Sequence, residues 1–275
     1  MKRALNYSPQ AADLLDAGKI EFDLYKTTEW PSMIADAQRQ RPAYAHFPFL
    51  AGRDDIGKVG FERVEAALAE TGTPYINTHI APRAADFGID MFAETPALTE
   101  RYTQAMLRDI AALTERYGAD KVILENANYD PNYDIPIAII RPALITRMVR
   151  ETGCGFLLDL GHARMSAVYF GMDVIDYLEQ LPLEALRELH VAGTRYSEDE
   201  RRLVDHYPMT DDDWTLVDWA LRKIAAGEMS QPWVVALEYG GAGPTFAWRS
   251  DPVVIERDMK HLSTVLAEAH LVDMK

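Results

Sequence analysis

One pattern recurs along the whole chain and restricts its fold: a short apolar strand, a loop and then an amphipathic helix. Helical segments such as ALTERYTQAMLRDIAALTERYG carry apolar residues at helical spacing. Eight strands alternating with helices over about 250 residues predict a single parallel (β/α)₈ TIM barrel that occupies residues 1–275. The eight predicted strands lie near Arg3–Tyr7, Ile20–Leu24, Ala43–Phe47, Tyr75–His79, Lys121–Asn126, Gly155–Asp159, Glu188–Ala192 and Trp233–Glu238.

A doubly wound open sheet is the alternative fold for such a pattern. That fold usually places a glycine-rich GxGxxG turn after the first strand, where it binds a dinucleotide. Here the first predicted strand runs instead into Asn6-Tyr7-Ser8-Pro9, and Ser8 before Pro9 is typical of a helix N-terminus. The sequence therefore favours the barrel.

Composition excludes some classes of protein. The formal net charge of −15 disfavours a protein that grips nucleic-acid phosphates. The sequence holds no apolar run of the about 18 residues that a membrane span needs, and its N-terminus lacks the apolar stretch of a secretory signal. The single cysteine, Cys154, excludes an internal disulfide and is typical of a reducing compartment. We expect a cytoplasmic protein.

Polar residues follow the predicted strands at their carboxyl ends, which is where TIM barrels carry their active sites. Five of the seven histidines occupy such positions, and four acidic residues accompany them; His261 and His270 lie in the last helical pattern. Taken together, the candidate metal ligands are His46, His79, Glu125, Asp159, His162, His190, Asp205, His206 and Glu238.

So many imidazoles and carboxylates in one cavity would repel one another or take up protons unless a cation held them together. Mixed nitrogen and oxygen ligands suit zinc, iron or manganese. Nine ligands are enough for two or three ions, with Glu125 or Glu238 as a bridge, although one or two of the nine can instead serve as outer partners or general bases.

Other residues near the strand ends are candidates for substrate binding, each with a structural alternative. Asn126 and Asn128 can orient a substrate or form a turn, and Tyr239 can line a pocket or pack. Arg164 and Arg195 can hold an anionic group or pair with a carboxylate. The acidic run 210–214 predicts the first turn of a helix.

Two segments, TGCGFLLDLGHARMSA and FGMDVIDYLEQLPLEALRELHVAG, resemble the multinuclear non-heme iron oxidative enzymes, which belong to the xylose-isomerase-like TIM barrels. The similarity is close over Leu124–Ala192 and looser elsewhere, although the strand-end pattern extends it over most of the chain. It includes LEN at 124–126, the D-x-x-(N/H) motif that begins at Asp159, and the acid–histidine pair at 205–206.

The resemblance implies that the nine strand-end residues bind two or three irons. It also implies oxidative modification, with dioxygen, of cysteine or another residue in a ribosomally made precursor peptide, and it leaves room for a peptide-recognition partner protein. The chain departs from the family at three places. His162 stands where asparagine is common, Thr78 lies within the strand-four motif that is usually S-E-H, and His206 directly follows Asp205 where one residue usually intervenes.

These departures keep other reactions open. A zinc- or manganese-dependent sugar isomerase or epimerase would polarise substrate oxygens with the metal while Glu125 and Glu238 move the proton. A phosphodiesterase similar to the apurinic-site endonucleases is a further alternative, disfavoured by the negative charge. A metal-binding or peptide-binding protein without turnover ranks last, because ligands occupy almost every strand end.

Overall fold

Eleven strands and ten α-helices alternate along the part of the chain that a computed structural model describes, residues 1–54 and 56–271. The strands are β1 (Lys2–Asn6), β2 (Leu24–Thr28), β3 (Ala43–His46), β4 (Leu50–Ala51), β5 (Ile76–Ile80), β6 (Val122–Glu125), β7 (Gly155–Asp159), β8 (Leu186–Val191), β9 (Gly193–Ser197), β10 (Arg202–Tyr207) and β11 (Val234–Leu237).

The helices follow the strands and cover the outer face of the sheet. They are α1 (Pro9–Asp16), α2 (Pro31–Gln38), α3 (Ile56–Val59), α4 (Phe61–Thr71), α5 (Pro96–Tyr117), α6 (Pro142–Thr152), α7 (Leu160–Phe170), α8 (Val174–Leu178), α9 (Asp211–Ala225) and α10 (Pro252–Glu268). Several begin at the signals that the sequence contains: Ser8 caps α1, and Thr210 forms a capping box with Asp213 at the start of α9, as the acidic run predicts.

Nine of the strands form one parallel sheet in the order β3-β2-β1-β11-β8-β7-β6-β5-β4. The two edge strands, β3 and β4, are separated by only residues 47–49, so the sheet curls until its two edges lie near each other. This confirms the α/β class and the curled parallel sheet. The predicted strand number is eight, whereas the sheet has nine because β4 adds two residues beside β5. No strand ladder joins β3 to β5 within the described residues, so the closed eight-stranded barrel stays a prediction.

The second strand lies four residues later than predicted, at Leu24–Thr28 instead of Ile20–Leu24. Ile20 and Phe22 are apolar because they pack in the hydrophobic core before the strand begins. The true strand contains polar residues that are nevertheless buried, among them Lys26. The apolar residues at positions 20 and 22 therefore indicated a buried segment correctly, but that segment is not a strand.

The inner face of the sheet has two layers. Since alternate residues of a strand share a face, the small apolar cluster of Leu24, Tyr44 and Ala236 lies on the same face as the residues two positions further along. Those residues are Lys26, His46 and Glu238. The inner face is therefore apolar at the amino ends of these strands and polar at their carboxyl ends. The larger core lies between the sheet and the helices and includes residues from Leu5 to Leu266.

Asn77 of β5 joins the two sides of the sheet where no ladder does. Its Oδ1 accepts a hydrogen bond from the Phe47 backbone N–H (2.7 Å), and its Nδ2 donates one to the Phe47 carbonyl (3.0 Å). One buried side chain thus satisfies both backbone groups of the residue that follows β3.

We expect Asn77→Ala to lower the free energy of unfolding by about 1–3 kcal/mol, because it leaves buried backbone groups without partners. The measurement is urea denaturation of the metal-free protein. Asn128→Ala is the control: Asn128 is half-buried and donates a 3.6 Å hydrogen bond to the Met165 sulfur, so its loss should cost less than about 1 kcal/mol. Equal unfolding midpoints for the two variants would contradict the role of Asn77.

Candidate metal centre

The nine predicted ligands converge at the carboxyl end of the curled sheet. Six of them lie at or next to the last residue of β3, β5, β6, β7, β8 and β11, His162 follows β7 in α7, and β10 of the hairpin β9–β10 carries the remaining two. The structure brings together the side chains of His46, His79, Glu125, Asp159, His162, His190, Asp205, His206 and Glu238.

Glu125 lies at the centre of this group and is almost fully buried. Its Oε2 is 3.5 Å from His46 Nε2 and 3.2 Å from His79 Nε2. Its Oε1 is 3.7 Å from His190 Nδ1 and 3.8 Å from His162 Nδ1. A single carboxylate therefore faces four imidazoles, two with each oxygen.

Asp159 ends β7 and also caps the following helix, α7. Its Oδ1 accepts a 2.8 Å hydrogen bond from the His162 backbone N–H, which satisfies one of the free donors at the helix N-terminus. Its Oδ2 points to the other side, 3.9 Å from both His162 Nε2 and His190 Nδ1. The D-L-G-H sequence is thus a strand end and a helix start that together aim a carboxylate and an imidazole at one point.

Asp205 and His206 both reach the site although they are adjacent on β10. Neighbouring residues of a regular strand point to opposite faces, but the pairing of β10 with β9 shifts register between Val204 and Tyr207. His206 has φ of 59°, in the left-handed region that side chains rarely adopt. Asp205 Oδ2 is then 3.1 Å from His162 Nε2, and His206 Nδ1 is 3.0 Å from the Glu238 carbonyl. The family usually has one residue between the acid and the histidine. In this chain the irregular backbone turns both adjacent side chains toward the site without such a residue.

Two buried charged residues of the site were missed by the sequence analysis. Lys26 of β2 forms an ion pair with the Glu238 carboxylate; the misplaced second strand hid it. Glu188 of β8 lies 2.8 Å from His190 Nε2 and accepts hydrogen bonds from the Tyr44 hydroxyl (2.8 Å) and the Trp233 indole N–H (3.3 Å). The signal for Glu188 was its position two residues before His190, which places both on one strand face.

The carboxylates and imidazoles change one another's pKa values. Burial alone would raise the pKa of the Glu125 carboxyl, but the imidazoles of His79 and His190 hold it well below its usual range. Burial alone would lower the pKa of His162, but the Asp159 and Asp205 carboxylates raise it to about 10. Without a metal, a proton on His162 thus supplies part of the positive charge that these carboxylates require.

Burial lowers the pKa values of three other basic side chains, those of His46, Lys26 and His206. It lowers the pKa of His46 well below its ordinary value, and the Lys26 ammonium adds to that effect. It lowers the pKa of Lys26 to about 8 and that of His206 to about 4, although nearby carboxylates oppose both changes. Neutral imidazoles are the form that binds metal ions, and the lowered pKa values of His46 and His206 favour that form.

Buried polar atoms without hydrogen-bond partners test whether metal ions fit here. Glu125 Oε2, Asp159 Oδ2 and His190 Nδ1 are such atoms, and burying them unpaired is costly. Each belongs to a group of three residues whose ligand atoms lie within 4.8 Å of one another. These groups are His46/His79/Glu125, Glu125/Asp159/His162, Asp159/His190/Glu238 and His46/Glu188/His190. The donors are of the kind that zinc, iron and manganese prefer, so the site fits metal ions.

A cavity of about 260 Å³ opens beside these groups. Its lining includes Lys26, Glu125 and four of the histidines, together with Tyr7, Phe246 and the positively charged Arg249. A small group in this cavity would therefore lie beside the converging side chains.

None of the five residues predicted to bind substrate lines this cavity. Asn126 is buried, and its amide exchanges hydrogen bonds with the backbone N–H and carbonyl of Asp159 (2.8 and 3.0 Å). Asn128 contacts the Met165 sulfur. The role of Asn126 in the structure is to tie β6 to β7 next to the ligands.

The two predicted arginines have protein partners. Arg164 donates hydrogen bonds to Asp213 (2.6 Å) and Asp212 (2.7 Å), the carboxylates of the acidic run. The Arg195 guanidinium lies 5.6 Å from the ring centroid of Tyr207. The fifth residue, Tyr239, is buried in the main core. A substrate role for these side chains stays a prediction.

Helices long and apolar enough to cross a membrane are absent from residues 1–54 and 56–271.

Curated relatives match parts of this chain. A UPF0276 protein of Rhizobium meliloti is 37% identical over 81 residues, which are 28% of this chain and 26% of that protein. A UPF0276 protein of Bordetella pertussis is 29% identical over 154 residues, 53% of this chain and 51% of the relative. The matched part thus spans about a quarter to half of the length of these relatives.

A solved structure shares the fold. The xylose isomerase domain containing protein of Salmonella typhimurium LT2 has a TM-score of 0.58 to this chain at 13% identity, over 96% of this chain and 97% of that one. An identity this low speaks for the fold alone: the two chains share an α/β fold over nearly their whole lengths.

The sequence model of one enzyme family matches residues 27–241, the part of the chain from β2 to just past β11. That stretch contains every one of the nine converging residues. The protein therefore belongs to the family of RiPP precursor modification enzymes MbnB/TglH/ChrH.

Proposed function

We propose that this protein is a metal-dependent oxidative enzyme that modifies a cysteine or a similar residue of a ribosomally made precursor peptide with dioxygen. The observation that carries the proposal is the sharing of Glu125 and Asp159 among three groups of ligand atoms. Shared carboxylates hold metal ions close together, which is how multinuclear centres are built.

The three groups give each metal a set of protein ligands. His46, His79 and Glu125 would hold one ion, and Asp159 and His162 would hold a second with the other oxygen of Glu125. Asp159, His190 and Glu238 form the third group. Iron bound here would supply the redox chemistry toward dioxygen. Zinc would supply Lewis acidity alone, and the isomerase alternative needs only Lewis acidity from zinc or manganese.

The surrounding residues orient these ligands. The Asn126 carbonyl is 2.9 Å from His162 Nδ1, so the ring can donate that N–H and keep Nε2 for a metal. Glu188 does the equivalent for His190, because its contact with Nε2 leaves Nδ1 facing the site. The side chains thus favour one tautomer and one ring orientation at each histidine.

The cavity suits one residue of a peptide, because about 260 Å³ is below the about 300–1,000 Å³ of pockets that enclose a whole small ligand. A thiol in this cavity would lie beside Glu125 and the histidines that line it. The remaining chain of the peptide would stay outside, which leaves room for a peptide-recognition partner protein. A chain with a single cysteine is typical of a reducing compartment. We therefore propose that the protein works in the cytoplasm.

Metal analysis tests this proposal. Protein purified without chelator from iron-rich medium should contain at least two irons per chain and consume dioxygen with a cysteine-containing precursor peptide. Stoichiometric zinc or manganese without dioxygen consumption would overturn the oxidative reaction and favour the isomerase alternative. A chain that binds no metal would overturn the metal centre.

Metal removal should also lower stability, because an ion that binds only the folded chain stabilises it. At a free metal concentration about 100 times Kd, the free energy of unfolding should rise by about 2.7 kcal/mol over the metal-free protein. Urea denaturation with and without added Zn²⁺ or anaerobic Fe²⁺ measures the difference. Coincident unfolding curves would contradict specific binding to the folded state.

A further inference from the structure

Three of the four ligand groups contain Glu125 or Asp159, and one of these three already contains a positive charge of the protein. The Lys26 ammonium forms an ion pair with Glu238 Oε1, the same oxygen that lies 3.2 Å from His190 Nδ1. Glu238 belongs to the group Asp159/His190/Glu238. In the other two groups of the proposed centre, the ion pairs within the described residues are all with histidines.

Lys26 is held in this place by its strand. On β2 its backbone pairs with Asn6 of β1 on one side and Tyr44 of β3 on the other. Only 7% of its side chain is exposed, so the ammonium cannot turn out to solvent without leaving the sheet interior. A buried ammonium needs a close carboxylate to offset the loss of hydration, and Glu238 is that carboxylate.

We propose that the Lys26 ammonium takes the place of a metal ion in the Asp159/His190/Glu238 group, so that the centre of this protein holds two metal ions and not three. The inference rests on the proposed metal centre and narrows its stoichiometry. Lys26 contacts the same Glu238 oxygen, Oε1, that faces His190 Nδ1. A divalent ion bound between His190 and this oxygen would lie next to the ammonium, and the two positive charges would repel each other.

The charges of the site agree with this count. Five carboxylates pair with the histidines or with Lys26: Glu125, Asp159, Glu188, Asp205 and Glu238. Metal-bound imidazoles are neutral, so two divalent ions and Lys26 already match these five negative charges, and Arg249, which also lines the cavity, adds one more positive charge. A third divalent ion would leave a buried excess of positive charge, which is unfavourable unless a ligand neutralises it.

Metal counting on the full-length chain tests the inference. Wild-type protein and the variants Lys26→Met and Lys26→Arg are equilibrated with Zn²⁺ or with anaerobic Fe²⁺, and the bound metal is measured by mass spectrometry and calorimetry. We expect Lys26→Met, which removes the charge but keeps most of the volume, to bind about one more ion per chain than wild type. Lys26→Arg keeps the charge and should bind the wild-type number. Anomalous scattering from crystals should place the extra ion beside Glu238.

The possible results are distinct. A wild-type chain with three ions, or equal counts in wild type and a folded Lys26→Met variant, overturns the inference and leaves the metal centre standing. A wild-type chain without metal overturns the proposed centre itself. If Lys26→Met does not fold, as judged by circular dichroism, Lys26→Gln replaces it, and the wild-type count of two or three still decides.

Discussion

Glu125→Gln should abolish most metal binding, with the affinity at both groups that share this residue falling more than about 100-fold. The loss of an outer partner already costs about 10–100-fold in metal affinity, and Glu125 faces four imidazoles with its two oxygens. The glutamine keeps the shape of the side chain but removes the charge that both ions would use. Calorimetric titration with Zn²⁺ or anaerobic Fe²⁺ measures the change.

Glu29→Gln is the matched control for this variant. Glu29 is also a buried glutamate at the carboxyl end of a strand, directly after β2, but its partner is Arg63 at 3.2 Å and no histidine. The control should therefore keep the wild-type metal content. If Glu125→Gln, shown to be folded by circular dichroism, also keeps it, the assignment of Glu125 as the shared ligand is wrong.

Asp213→Ala should destabilise the protein by about 3–5 kcal/mol, the usual cost of leaving one member of a buried ion pair alone. The Asp213 carboxylate accepts hydrogen bonds from the hydroxyls of Thr194 (2.9 Å) and Thr210 (2.6 Å) and from Arg164 (2.6 Å). It thereby joins the start of α9 to β9 and α7. Its removal leaves several buried donors without acceptors.

The neighbouring residue provides the control. Asp212 binds the same arginine, Arg164, but 79% of its side chain is exposed, against 3% for Asp213. Asp212→Ala should therefore cost less than about 1 kcal/mol. Urea denaturation of both variants without metal gives the comparison. Similar losses for the two would show that burial of the Asp213 contacts does not contribute as described.

The polar residues at the strand ends could be predicted from the sequence, because each directly follows an apolar run in the chain. A parallel sheet brings all its carboxyl ends to one edge, so a histidine or acid that ends an apolar run must lie near the others. His46, His79 and Glu125 were predicted in this way, and the structure brings them together. The assignment of a metal to them stays a prediction.

Lys26 could not be predicted because the usual signal fails for it. Strand prediction relies on apolar residues, and the inner face of β2 is polar at its carboxyl end. Ile20 and Phe22 are buried without being in a strand. Because they are apolar, the strand was predicted four residues too close to the N-terminus. A lysine on a loop would be solvated, whereas the same lysine on β2 is a buried member of the site.

Asp205 and His206 illustrate a second limit. None of the eight predicted strands includes this pair; the structure has a hairpin whose register shift turns both side chains to the same side, although adjacent strand residues ordinarily point to opposite faces. Such an irregularity depends on the partner strand and on His162 and Glu238 across the site. It leaves no local pattern in the sequence.

By itself, the sequence determined the alternation of strands and helices and the identity of the polar residues at the strand ends, since both follow from local periodicity and order along the chain. Only the tertiary structure decided which of these residues face one another. The curl of the sheet places Glu125 among four imidazoles and Lys26 against Glu238. These are contacts between residues far apart in the chain, and their distances depend on strand register and sheet curvature, which no single segment specifies.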